Sequence, residues 1–102
     1  MKRSVVEGPK FKKQFKKVSQ YKNFKKQKFI EAVTMLQNGE TLSKNYDDHP
    51  VAKHSPDKLQ GMRIIHLAPN ICLLYELTKD EVILNLIGSH QDLNLTESRN
   101  RL

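Results

Sequence analysis

Four histidines, His49, His54, His66 and His90, all fall between residues 49 and 90, and none lies elsewhere. Imidazole is the side chain whose ordinary pKa lets it give and take protons near neutral pH. Residues 1–28 are of a different character, with eleven Lys or Arg against one acid, Glu7, for a local charge of +10. The remainder carries seven bases and ten acids, −3, so the overall +7 is concentrated at one end. Clustered cations bind a polyanion by releasing its condensed counterions. A polyanion with a hydroxyl beside each phosphate is RNA, and general acid–base work by imidazoles on it is strand cleavage. The alternative for the lysines is a solvated helix face that keeps the chain soluble.

Other chemistries fit less well. The separations of the histidines match none of the compact zinc spacings, and no cysteine pair helps. Ser89-His90 is adjacent in sequence, but there is no Gly-x-Ser-x-Gly elbow, and no Gly-rich phosphate loop exists. Cys72, the only cysteine, lies in the apolar run Ile71-Cys72-Leu73-Leu74-Tyr75 and reads as a small core residue, with a reducing compartment implied. His49 follows Asp47-Asp48, either of which could orient it, and Pro50 biases it towards an extended backbone. His66 sits within a strand pattern on the face of Met62 and Ile64, with Arg63 facing the other way. His90 comes just after Gly88-Ser89. A structural role is the competing reading for each, and nothing lifts His54 above it.

The elements that must hold these residues follow from periodicity. Lys2 to Val6 predicts a strand ended by Gly8-Pro9. Phe11, Phe15 and Val18 predict an amphipathic helix opened by Pro9, with lysines on its outer faces. A break at 19–23 precedes a second helix over Phe24 to Gln37, stopped by Asn38-Gly39. Residues 39–60 lack periodicity and predict a long loop of functional type. Met62–Leu67, Ile71–Leu77 and Val82–Ile87 predict three strands joined by turns at Ala68-Pro69-Asn70 and Thr78-Lys79-Asp80. Gln91–Leu95 predicts a helical turn. The expected fold is α+β, in the order β-α-α-β-β-β, with an α-hairpin on one face of an antiparallel sheet and a cleft on the other. A chain of 102 residues holds one domain, placed at 1–95 with a polar tail at 96–102. No apolar stretch reaches spanning length and the N-terminus has no secretory h-region, so a cytoplasmic location is expected.

The motifs Asp48-His49-Pro50, Gly61-Met62-Arg63-Ile64-Ile65-His66, Leu73-Leu74-Tyr75-Glu76-Leu77 and Gly88-Ser89-His90, in that order, resemble the YafQ branch of the RelE superfamily, toxins of bacterial type II toxin–antitoxin systems. The resemblance implies a ribosome-dependent endoribonuclease that cuts mRNA in the A site without a metal or other cofactor. The ribose 2′-OH attacks the adjacent phosphate, giving a 2′,3′-cyclic phosphate and a free 5′-OH. By motif, His90 would be the general acid, while His49 and His66 are candidates for the base. Arg63 would contact phosphate or form a structural ion pair. The implied partners are ribosome, mRNA and a cognate antitoxin with a DNA-binding part of ribbon-helix-helix type, in a hetero-oligomer.

Two departures stand out. Asn70 replaces the family's aspartate, and Leu86 replaces an arginine two residues before Gly-x-His. Lys53, Lys58 or Arg63 would then supply the phosphate charge, in a loop somewhat longer than in relatives. The rival readings are a RelE-like binding protein with weakened catalysis, a ribosome-independent RNase, and a DNA-binding protein that uses the basic helix.

Overall fold

The computed structural model describes residues 2–51 and 57–93, with Lys58 described by its backbone alone. His54, Lys53 and the tail at 96–102 lie outside the described residues. A five-stranded sheet carries two long helices. Strand β1 (Ser4–Glu7) leads into α1 (Pro9–Val18) and α2 (Lys26–Gln37). A 3₁₀ turn at Lys44–Tyr46, the short strand β2 (His49–Pro50) and a second turn at Asp57–Leu59 follow. Strands β3 (Arg63–Ala68), β4 (Ile71–Leu77) and β5 (Glu81–Gly88) end in the single helical turn α3 (His90–Leu93). The order across the sheet is β1-β5-β4-β3-β2.

The meander of β3, β4 and β5 is antiparallel as expected, but β1 runs parallel to β5, pairing Ser4 with Glu81 through Glu7 with Leu84. The first strand contains the Val-Val pair as expected, starts two residues later and ends one residue later than Lys2 to Val6, and forms an exposed edge. The loop at 39–60 gives up His49 and Pro50 to the opposite edge, where His49 pairs with Ile64. Two bulges adjust the sheet, one between His66 and Ala68 and one in the β4–β5 ladder at Leu74/Tyr75.

Alternation divides the strand residues between two faces. On one, Ile65, Leu67, Leu73, Tyr75 and Ile87 form the main core with Phe11, Val18, Ala32 and Leu36 of the helices. Phe11, Phe15, Phe24 and Phe29 interlock between the helices with ring centroids 5.0–6.0 Å apart. On the other, Ile64, Cys72 and Leu74 pack with Leu59 and Leu93 in a smaller cluster, bordered by Met62 and Leu86. Parallel β1 stops at Leu84, and the rest of the β5 edge is covered by α1, where Gln14 Oε1 accepts the Ile87 N–H at 2.9 Å. Among the described residues no helix is long and apolar enough to cross a membrane.

Candidate active site

The β2–β3 register places His49 beside Ile64, two residues from His66 on the same face. The β3–β4 register pairs His66 with Cys72, and the β4–β5 register pairs Cys72 with Gly88, so His90 emerges next to that level of the sheet. The outcome is a row of imidazoles on the face away from the helices. His49 and His66 stack with centroids 6.1 Å apart, and His66 and His90 tilt at 5.7 Å.

Two of the three rings, His49 and His90, have a hydrogen-bond acceptor at Nδ1. Asp47, in the left-handed conformation at φ 50°, turns its backbone carbonyl to His49 Nδ1 at 2.6 Å. A carbonyl only accepts, so that nitrogen carries the proton. The Asp47 carboxylate also lies between two rings, 3.7 Å from His49 Nδ1 and 3.6 Å from His66 Nδ1. His66 Nδ1 is buried, and among the described residues it makes no hydrogen bond of ordinary length. Asn70 Oδ1 takes both the backbone N–H of His90 at 3.4 Å and its Nδ1 at 3.2 Å, which assigns the amide orientation and the ring tautomer together. The arrangement turns Nε2 of His49 away from its Nδ1 acceptor, and sets His90 Nε2 3.6 Å from Cys72 Sγ. Burial pushes the His66 pKa below its ordinary 6.5, against the pull of Asp47 and with help from the neighbouring His90 and His49, so the ring is neutral at pH 7.

His90 is placed by a capping box. Ser89 Oγ accepts the Asp92 N–H at 2.9 Å, and Asp92 Oδ2 accepts the Ser89 N–H at 3.1 Å. Asp92 is tied in turn to the α1 region by Tyr21 Oη at 2.6 Å and Lys17 Nζ at 3.1 Å, which hold its carboxyl down at about 2. Gly88 permits this closure, since a Cβ there would stand 3.0 Å from Asp92 Cβ.

The structure thus brings together His49, His66, His90 and Asn70. It sends Arg63 to the other face, where its Nε donates to Asp48 Oδ1 at 3.1 Å; Tyr75 Oη donates to the same oxygen at 2.6 Å. Of the two acids before His49, Asp47 orients imidazoles and Asp48 holds Arg63. Leu86 borders the apolar cluster on the imidazole side, next to an open cavity of about 620 Å³ that Lys10, Gln14, Met62 and Asn85 also line. Sequence reasoning did not single out Asp92, Tyr21 or Lys17, since their convergence depends on contacts 71–75 residues apart. It weighed Cys72 only as core, yet its Sγ lies 3.6 Å from His90 Nε2.

Among curated proteins none matches the sequence. Among solved structures, a copper-bound mutant toxin from Helicobacter pylori is 27% identical with a TM-score of 0.76, covering 91% of this chain and 99% of that one. YafQ from Escherichia coli BL21(DE3) is 25% identical with a TM-score of 0.76, covering 89% and 97%. The E. coli DinJ–YafQ toxin–antitoxin complex contributes a chain 26% identical with a TM-score of 0.75, covering 91% and 98%. The family described as the bacterial toxin of type II toxin–antitoxin system, YafQ, matches residues 3–95, nearly the whole chain, and the protein belongs to that family of toxins.

Proposed function

We propose that this toxin is an endoribonuclease that cuts mRNA in the ribosomal A site and so stops translation. The observation that carries the reading is the row of three imidazoles, the outer two with hydrogen-bond acceptors at Nδ1. His66, kept neutral by burial, takes the proton of the ribose 2′-OH, with His49 beside it and Asp47 orienting both rings. The 2′-oxygen attacks phosphorus and the P–O5′ bond breaks. His90, seated by Asn70 and the α3 turn, gives its proton to the leaving 5′-oxygen. The products are a 2′,3′-cyclic phosphate and a 5′-OH, and no step calls for a metal. Neutralisation of charge on the phosphorane is assigned to Lys53 and Lys58, since Arg63 is engaged by Asp48.

The E. coli YafQ structure with DinJ supports a cognate antitoxin for this chain as well, in a hetero-oligomer, with ribbon-helix-helix DNA binding assigned to the antitoxin. The ribosome as partner places the protein in the cytoplasm. Primer extension on a translated mRNA with purified ribosomes tests the reading. Wild type is expected to give A-site stops that vanish with His90→Ala at unchanged ribosome affinity. A folded, ribosome-bound wild type that yields no cuts would instead identify a binding protein that has lost catalysis through Asn70 and Leu86. Equal cutting of naked RNA would remove the ribosome dependence.

A further inference from the structure

We propose that His66, Cys72 and His90 form a binding site for a borderline transition-metal cation of the zinc(II) class, and that occupancy of this site switches the nuclease off. The regulatory half rests on the nuclease reading above; the site does not. Two neighbouring strands and the helical turn after a third present the donors at one level: His66 on β3 is the cross-strand partner of Cys72 on β4, and Cys72 is the partner of Gly88 on β5, two residues before His90 of α3. One nitrogen of each ring and the Cys72 sulfur all lie within 4.8 Å of one another. A tetrahedral ion with sulfur and imidazole ligands needs donors roughly 3.3–3.8 Å apart, from its bond lengths. The His90 Nε2–Cys72 Sγ distance is already 3.6 Å, so small side-chain rotations close the set.

Polar groups stand behind the two rings independently of the donors. Asn70 Oδ1 stands 3.2 Å from His90 Nδ1 and Asp47 Oδ2 stands 3.6 Å from His66 Nδ1. The Asn70 acceptor orients the opposite nitrogen of His90 towards a metal, and the Asp47 carboxylate, beyond hydrogen-bond length, adds negative charge behind His66. One thiolate and two imidazoles select a borderline or soft ion over magnesium or calcium, which take oxygen ligands. Cys72 is fully buried beneath two partly exposed rings, so the ion sits between them with its fourth position open to solvent. On binding, Cys72 releases its thiol proton to the buffer, and the ion takes the ring lone pairs that proton transfer needs. A loaded site therefore cannot act as acid and base.

The test uses the full chain, stripped with chelator under reducing conditions, and cobalt(II) as the probe. Wild type is expected to bind one equivalent with a thiolate-to-cobalt charge-transfer band that zinc(II) displaces. Cys72→Ser should lose the band and bind zinc at least about tenfold more weakly, and His66→Gln, which keeps the thiol, should weaken binding likewise. Absence of the band in wild type, or equal zinc affinity in wild type and the folded Cys72→Ser protein, overturns the site. Should Cys72→Ser prove unfolded by circular dichroism, Cys72→Ala and His66→Gln carry the same comparison. In the ribosomal cleavage assay, zinc should stop the wild type and spare Cys72→Ser. Equal inhibition of both overturns the switch. A charge-transfer band in a protein that never cuts RNA overturns the nuclease reading and the switch while the site stands.

Discussion

Asn70 shows what survives when a carboxylate becomes an amide. Its Oδ1 still accepts from His90 Nδ1, which holds the tautomer and the ring angle, but it brings no charge to stabilise an imidazolium. Asn70→Ala is expected to lower single-turnover cleavage about tenfold, the effect of one hydrogen bond worth roughly 1.4 kcal/mol in the transition state, with ribosome affinity unchanged. An unaltered rate would mean that the α3 turn alone seats His90. Arg63 makes the opposite case: a residue with the right chemistry for phosphate that the pleat turns away from the imidazoles. Its removal leaves Asp48 with Tyr75 as the remaining partner in a partly buried position. Arg63→Met should therefore cost about 1 kcal/mol of stability, a fall in Tm of roughly 4–8 °C, while the folded protein keeps its cleavage rate. A large loss of cleavage at unchanged Tm would return Arg63 to the substrate.

At the scale of elements, the imidazole row depends on how the 3₁₀ turn before β2 is anchored. Tyr46 is buried in the main core and donates to Glu31 Oε1 of α2 at 2.6 Å, immediately before Asp47 and His49. Burial first, then Glu31, push the Tyr46 phenol from 10 up to about 12. The unfolded phenol ionises near 10, so this contribution to stability is complete below pH 10 and is lost as the pH rises towards 12. Tyr46→Phe should flatten the fall in Tm across that window without abolishing it, because Tyr75 is shifted upwards as well. An identical alkaline slope in the variant would show that this tether does not hold the turn. Much of the frame was legible beforehand. Strand β4 matches Ile71–Leu77 to the residue because a continuous apolar run is bounded by turn signals, and the pairing of helix-facing aromatics follows from a spacing of four. The parallel β1–β5 pairing was not, since no local pattern reports a partner 77 residues away. The three imidazoles were legible as residues but not all as neighbours. A two-residue turn at Pro69-Asn70 pairs Ala68 with Ile71 and would set His66 opposite Leu73; the bulge at Leu67 shifts the ladder by one and sets His66 opposite Cys72. That single irregularity, invisible to periodicity, turns a core cysteine into a neighbour of the imidazoles.

Over the whole molecule, the charge asymmetry acquires a direction. Helix α1 covers the end of β5 through Gln14, and Lys17 reaches Asp92 in the turn that carries His90, so the basic arm borders the imidazole site. Lys12, Lys13 and Lys16 remain exposed on the helix. Lysine supplies charge without the planar fork of arginine, which suits docking to a phosphate backbone more than reading bases. If these three contact ribosomal RNA, changing all of them to Gln should reduce the slope of log affinity against log salt by about two to three, close to one released counterion per contact. Lys17 is left intact in that variant because its loss would also disturb Asp92. His90→Ala should leave the slope as it is, since it removes none of the lysine contacts to phosphate. The two variants thus separate docking from cleavage: the lysine variant should cut at the wild-type rate once ribosomes are saturating, and the histidine variant should bind without cutting. An unchanged salt slope in the lysine variant would assign the charge on α1 to solubility, and the ribosome contact would have to be sought on another face.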